Sequence, residues 1–159
     1  MENIKEIDKK FVANTYERSD IVITGGSGSI LTDCDGKEYI DFGCGIAVNA
    51  FGINDKEWKN AVINQLEAVQ HTSNLYYSAP CAYLAKKLCE LTGLSKVFFS
   101  NSGAEANECA IKTARKYSHD RYGENRYKII TLENSFHGRT ITTLAATGQE
   151  GFHTHFMPF

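Results

Sequence analysis

The chain has 159 residues, of which 42% are hydrophobic and 23% are charged, a composition typical of a globular domain and not of a disordered tail. Lysine and arginine number 17 against 19 acidic residues, which gives a formal net charge of −2. This balance favours neither a nucleic acid nor an anionic membrane surface as a partner.

Neither a membrane span nor a secretion signal is predicted. The longest apolar stretch, residues 40–53, is interrupted by Asp41, Asn49 and several glycines, and it falls short of the roughly 20 residues that a membrane span requires. The first residues, MENIKE, contain no apolar signal core. We therefore expect a cytoplasmic protein.

The cysteines predict neither a disulfide framework nor a zinc site, because their number is odd and no Cys-x-x-Cys pair occurs. We expect all five to be reduced and most of them to be buried. They are Cys34, Cys44, Cys81, Cys89 and Cys109.

The N-terminal third opens with a short charged helix and continues into a glycine-rich run at 24–29 (TGGSGS). A phosphate-binding P-loop would need Gly-Lys-Ser/Thr after such a run, and Ile30 and Leu31 stand there instead, so a plain loop is the better interpretation. Next, the pair Asp35-Gly36 lies between two β-prone runs, 29–32 and 38–42. This pattern predicts a β-hairpin.

Two amphipathic helices follow, each with its own start signal. Asn54, with Glu57 three residues later, predicts the N-terminus of the first. The second is predicted to begin at Ser78, with Pro80 in its first turn, and to end at Gly93. Apolar residues recur at helical spacing in both, and we expect these faces to be buried.

From Lys96 onward the pattern changes to strand, helix, strand. Residues 97–100 (VFFS) and 127–132 (YKIITL) are unbroken β-prone runs, as expected for strands covered on both faces. The residues between them have the periodicity of a helix. This order predicts a βαβ unit, and hence an α/β fold with parallel strand pairing.

The first candidate site lies where the first of these strands meets the helix, at residues 100–106 (SNSGAEA). Ser102 and Glu105 have the spacing of a capping box, which leaves neighbouring first-turn N–H groups pointing outward. Those donors and the positive end of the helix dipole suit a phosphate monoester, and the small residues Gly103 and Ala104 allow its close approach. An ordinary, well-capped helix explains this segment equally well.

A second candidate segment, 134–140 (NSFHGRT), directly follows the second strand. Phe136, His137 and Arg139 place an aromatic ring, an imidazole and a guanidinium in four residues, which suits a flat anionic ligand. Both segments follow predicted parallel strands, so they are expected to share one crevice.

Two other features are interpreted as structural. His153 and His155 lack acidic or thiol partners nearby, so a metal site is not predicted. Lys112 is expected mid-helix beside Glu108, where a solvated ammonium makes a poor nucleophile.

Six blocks together resemble the class-III pyridoxal-phosphate-dependent aminotransferases, and they occur in the order typical of that family. They are 31–42 (LTDCDGKEYIDF), 45–49 (GIAVN), 73–77 (SNLYY), 98–108 (FFSNSGAEANE), 135–140 (SFHGRT) and 146–149 (ATGQ). One departure is 52–55 (GIND), where the family usually has Gly-His and His-Pro, and it concerns local loop geometry.

The resemblance implies that pyridoxal 5'-phosphate is the cofactor. Ser102, Gly103 and Ala104 would then hold its phosphate, Phe136 would stack on the pyridine ring, and His137 would lie beside it.

The resemblance also implies the substrates, which would be an amino acid and a 2-oxo acid. Arg139 would bind the substrate α-carboxylate, and Asn74 and Tyr76 would lie near the substrate entrance. A homodimer is typical of the family. The sequence leaves the amino donor within the class open.

The implied fold is that of fold type I, the aspartate aminotransferase-like α/β fold. Residues 1–53, with the hairpin, would contribute to the small domain, and 54–159 would begin the mixed sheet of the large cofactor-binding domain. The family's Schiff-base lysine and the aspartate that keeps the pyridine nitrogen protonated have no counterpart here. The chain is therefore expected to be the N-terminal portion of an aminotransferase and inactive alone. A non-catalytic α/β fragment that binds a phosphorylated ligand is the alternative.

Overall fold

The computed structural model describes residues 3–158 and divides into two compact units, Met1–Tyr76 and Tyr77–Phe159. The first unit contains α1 (Ile4–Phe11), β1 (Ile23–Ser27), β2 (Ile30–Asp33), β3 (Glu38–Ile40), the short segment α2 (Cys44–Ala47) and α3 (Lys56–Ala68). The second contains α4 (Ala79–Thr92), α5 (Gly103–Tyr122), α6 (Ile141–Ala146) and a 3₁₀ turn, Glu150–Phe152. The predicted domain boundary after residue 53 stays a prediction.

The sheet of the first unit is antiparallel, with the strand order β1-β2-β3. Its β2–β3 pair is the predicted hairpin, which is confirmed. The expectation of a plain loop at 24–29 was wrong, because residues 24–27 belong to β1. Gly26 allows close packing between strands, since a Cβ there would collide with the carbonyl oxygen of Ile30.

Asp33 organises the hairpin turn through a carboxylate that is only 9% exposed. It accepts hydrogen bonds from the N–H groups of Asp35 and Lys37, both at 2.9 Å, and from the Tyr39 hydroxyl at 2.8 Å. The Tyr39 hydrogen bond is the main reason why the pKa of Asp33 lies below its usual value, and the same bond raises the pKa of Tyr39.

We expect Tyr39→Phe to raise the pKa of Asp33 towards its ordinary value of 3.8. Since the native state lowers this pKa, the stabilisation by Asp33 is complete above the ordinary value and disappears as the pH falls through the lowered one. The variant should therefore lose less stability on acidification than the wild type. Denaturant unfolding at pH 6 and pH 3 measures this, with the exposed Tyr83→Phe as control. Equal acid sensitivity in Tyr39→Phe and the wild type would contradict it.

The N-cap of α3 lies one residue later than predicted. Asp55 is the N-cap, with Oδ1 accepting from the Trp58 N–H at 2.7 Å. Asn54, the predicted cap, has a left-handed φ of 61° and donates through Nδ2 to the Gly26 carbonyl at 2.7 Å. Because asparagine tolerates this conformation well, it serves the turn and leaves capping to its neighbour.

In the second unit, the predicted start and end of α4 are confirmed. Ser78 is its N-cap, Pro80 lies in the first turn, and Gly93 ends it with a left-handed φ of 73°. The predicted helix after Ser102 is confirmed as α5.

The predicted parallel strands are not formed in the described part of the chain. Residues 97–100 and 127–132 pair neither with each other nor with any other described segment. The second run follows α5 closely, since Arg115 Nε donates to the Tyr127 carbonyl at 3.3 Å and Ser118 Oγ donates to that of Arg126. A helix covers the face of such a run but leaves its main-chain edges unpaired, so these runs lack the partners that a strand needs.

Burial is sparse throughout residues 3–158. Leu144, 6% exposed, is their one buried large apolar side chain. The apolar faces of α3 and α4, predicted to be buried, are open, and Trp58 is 55% exposed. The expectation of buried cysteines was also wrong, since all five are free thiols with partial or full exposure. No described helix is both long and apolar enough to cross a membrane.

Candidate functional site

The N-terminus of α5 presents backbone donors, as its sequence predicts. Ser102 is the N-cap, and its hydroxyl accepts from the Glu105 N–H at 3.2 Å. The Glu105 carboxylate does not complete the predicted capping box, because it accepts from the N–H of Asn101 at 2.7 Å, one residue earlier. Within residues 3–158, the N–H groups of Gly103 and Ala104 have no acceptor. These two donors are therefore available to a ligand.

We expect Ser102→Ala to lower the free energy of unfolding by about 1 kcal/mol, the usual effect of losing an N-cap hydrogen bond. Ser78→Ala is a matched control, because Ser78 caps α4 without a side-chain hydrogen bond and should lose clearly less. Chemical denaturation of both variants measures the difference. Equal losses would show that the Ser102 hydroxyl is not the stabilising group.

The loop at 134–140 packs directly on this helix terminus. Gly138, with φ of 128°, approaches so closely that an added Cβ would lie 2.7 Å from the Cβ of Ala104. Two hydrogen bonds fix the contact, one from Asn107 Nδ2 to the His137 carbonyl at 2.8 Å and one from the Thr140 hydroxyl to the Glu108 carboxylate. The prediction that the two segments share a crevice is confirmed by this contact, although the parallel sheet expected beneath them is not formed here.

Two buried threonines hold the loop from the other side. Thr143 and Thr147 are 0% and 1% exposed. The Thr147 hydroxyl accepts from the His137 N–H at 3.0 Å and lies 3.2 Å from the Gly138 carbonyl oxygen. Thr143 and Thr140 form the capping box of α6. The loop is thus fixed by side chains from both α5 and α6.

Residues of the two segments line a cavity of about 360 Å³ that is open to solvent. It brings together six of the eight predicted site residues and adds Asn107 and Gly138. The lining residues are Ser102, Gly103, Ala104, Asn107, Phe136, His137, Gly138 and Arg139.

Aromatic and cationic side chains face one another at this cavity. Phe136 is 51% exposed, and its ring centroid lies 5.5 Å from Cζ of Arg139. Phe152 contacts the same pair, with its centroid 5.6 Å from that of Phe136 and 5.9 Å from Arg139 Cζ. Both ring distances to Arg139 are within the range of cation–π attraction.

The remaining predicted site residues, Asn74 and Tyr76, belong to the first unit. They lie in the turn segment between α3 and α4, where both are exposed. Their role at the substrate entrance stays a prediction.

The cavity fits a flat, phosphorylated ligand. An added Cβ on Gly103 would meet no atom within 4 Å, so the side of the helix terminus at Gly103 is open. Phe136 offers an exposed ring to a planar group, and Arg139 a planar cation for a carboxylate. Groups that suit a phosphate, a ring and a carboxylate thus line one cavity.

Four residues outside the predicted set shape this site. Asn107 and Thr147 lie within the blocks 98–108 and 146–149 that carry the family resemblance, but no local pattern gave either residue a role. Asn107, Thr147 and Phe152 act through contacts with residues ten or more positions away, whereas Thr143 bonds Thr140, three residues before it. His153, considered as a metal ligand and rejected, has Nε2 3.0 Å from the Leu144 carbonyl oxygen.

The class of protein follows from comparison with known families. The family model described as Aminotransferase class-III matches residues 11–159, and the chain belongs to that family. A curated relative named acetylornithine aminotransferase, from Haemophilus ducreyi, is 56% identical over 158 residues, which cover 99% of this chain and 40% of that protein. Another of the same name, from Wolinella succinogenes, is 52% identical over 155 residues, 96% of this chain and 39% of that protein.

Solved structures agree on the fold. The ornithine aminotransferase from Toxoplasma gondii superimposes with a TM-score of 0.90 at 28% identity, over 98% of this chain and 37% of that chain. The predicted fold, an N-terminal part of the aminotransferase architecture, is confirmed. The chain spans about 40% of the length of the curated relatives it matches.

Proposed function

We propose that this chain is the N-terminal part of an acetylornithine aminotransferase, which transfers the amino group of N2-acetylornithine to 2-oxoglutarate in arginine biosynthesis. The similar relatives that carry this name support the choice of donor. The wide exposure of apolar helix faces supports a larger protein in which further chain, or a second subunit of a homodimer, covers them.

The observation that carries the proposal is the contact between the α5 terminus and the 134–140 loop. It places two free backbone N–H groups, the Phe136 ring and the Arg139 guanidinium around one cavity. Each suits one part of the expected reactants: the cofactor phosphate, its pyridine ring and the substrate carboxylate.

We assign pyridoxal 5'-phosphate as the cofactor. Bound here, it would supply an electron sink for cleavage of a bond at the substrate's amine-bearing carbon. The chain's own residues would bind and orient the cofactor and the substrate. Gly103 and Ala104 would hold the phosphate by their N–H groups, with Ser102 fixing the turn, while Phe136 and His137 would border the ring.

Arg139 would bind a substrate carboxylate through its planar fork, which also orients the bond to be broken. Asn74 and Tyr76 are proposed at the substrate entrance. The lysine that bonds the cofactor and the carboxylate opposite the pyridine nitrogen are expected in the rest of the protein.

The test uses the whole protein, titrated with pyridoxal 5'-phosphate and assayed with 2-oxoglutarate as acceptor. We expect a visible absorbance band and a kcat/KM for N2-acetylornithine at least tenfold above that for any rival donor. The rivals are ornithine, N2-succinylornithine and 4-aminobutyrate, and preference for one of them would reassign the substrate. Cofactor binding without any amino transfer would favour the alternative of a phosphorylated-ligand binding module.

A further inference from the structure

Phe152 links two side chains that the proposed function uses for different purposes. Its ring centroid lies 5.6 Å from that of Phe136, with the ring planes inclined by 58°. The guanidinium carbon of Arg139 lies 5.5 Å from one ring and 5.9 Å from the other. Each of the three side chains therefore contacts both of the others.

The backbone holds Phe152 in this position. After α6 the chain returns beside the 134–140 loop, where Asn134 N–H donates to the Gly148 carbonyl at 2.8 Å and Gly148 N–H donates to that of Ser135 at 3.0 Å. The 3₁₀ turn that ends at Phe152 then closes with its N–H bonded to the Gln149 carbonyl at 3.1 Å. These backbone hydrogen bonds bring the turn that carries Phe152 beside the loop.

We propose that Phe152 is a positioning residue for substrate binding, which packs with Phe136 against the Arg139 guanidinium so that its fork is already oriented when a carboxylate arrives. A cation is attracted to ring faces, and a flat guanidinium loses rotamer freedom when it packs on them. Prior restriction lowers the entropy cost of binding and so strengthens it. This inference rests on the proposed function of Arg139.

The test compares Phe152→Leu, Phe152→Tyr and a control, Phe156→Leu, in the whole enzyme with its cofactor. Leucine keeps apolar contact with Phe136 but offers Arg139 no ring face. We expect Phe152→Leu to weaken binding of a non-reactive dicarboxylate, such as succinate, by about fivefold in calorimetry. The KM values of both substrates should rise similarly, with kcat and cofactor affinity within about twofold. Phe152→Tyr, and Phe156→Leu in an exposed position, should behave as wild type.

A double-variant cycle separates positioning from general support of the fold. In an Arg139→Ala background, Phe152→Leu should have no further effect on succinate affinity, because the group it positions is gone. An equal loss in both backgrounds would overturn the inference, as would unchanged succinate affinity in Phe152→Leu. Phe152→Met carries the same expectation should the leucine variant not fold.

Failure of the inference and failure of the proposed function give different results. A wild-type enzyme that transaminates, with a Phe152→Leu variant that binds succinate normally, overturns the inference alone. A wild-type protein that binds neither pyridoxal 5'-phosphate nor succinate overturns both.

Discussion

Gly138→Ala is expected to lower the free energy of unfolding by about 2–6 kcal/mol and to weaken cofactor binding at least tenfold. The added methyl would lie 2.6 Å from the Thr143 hydroxyl oxygen and 2.7 Å from the Cβ of Ala104, at a φ of 128°. Overpacking and a backbone conformation that L side chains rarely adopt each cost roughly 1–3 kcal/mol. Relief of the clash would push the loop away from Ala104 and open the cavity in which we propose that the cofactor binds.

Gly151→Ala is the matched control, because a Cβ there meets nothing within 4 Å and its φ is not left-handed. Its free energy of unfolding should lie within about 0.5 kcal/mol of the wild-type value, as expected for a substitution away from close contacts. Denaturant unfolding and cofactor titration of both variants measure the effect. A Gly138→Ala protein with wild-type stability and cofactor affinity would show that the loop does not need its close approach to α5.

Arg139→Ala is expected to lower kcat/KM by about 30-fold or more for both the amino donor and the 2-oxo acid acceptor. Removal of one partner from a hydrogen-bonded charge pair costs roughly 2–5 kcal/mol, which corresponds to this range. Cofactor affinity should change little, because the N–H groups proposed to bind the cofactor phosphate belong to the α5 terminus. The kcat/KM of Arg139→Lys should lie between those of the wild type and Arg139→Ala, since lysine keeps the charge and loses the planar fork.

The control for the charge change is Arg121→Ala, which removes an exposed arginine from the last turn of α5. Its steady-state constants should match the wild type. Steady-state kinetics with both substrates and a separate cofactor titration complete the measurement. If Arg139→Ala kept its substrate KM values, the guanidinium would have no part in carboxylate binding.

Local signals in the sequence predicted most elements of this fold correctly. The pair Asp35-Gly36 marks the hairpin turn, in which Gly36 has a left-handed φ of 81°, and Pro80 and Gly93 mark the two ends of α4 by their backbone preferences. Where two neighbouring residues suit one role, local reasoning missed by one position. Asn54 and Asp55 are both good caps, and the contact of Asn54 with β1 decided between them.

Features that depend on residues distant in sequence could not be predicted from local signals. The runs 97–100 and 127–132 have strand composition, but pairing needs a neighbour that composition does not specify. Burial of the α3 and α4 faces likewise depends on what packs against them. In the site, the motifs identified Ser102, Phe136 and Arg139, whereas Phe152 is recognisable only once the chain has turned back towards Phe136.

The buried hydroxyl of Thr147 has a consequence for enzyme engineering on this scaffold. One small polar atom accepts the His137 N–H and lies within hydrogen-bond distance of the carbonyl oxygens of Gly138 and Thr143. Valine has the same shape yet would leave that amide without an acceptor. Libraries designed to change donor preference should therefore randomise side chains around the cavity mouth and keep threonine at position 147.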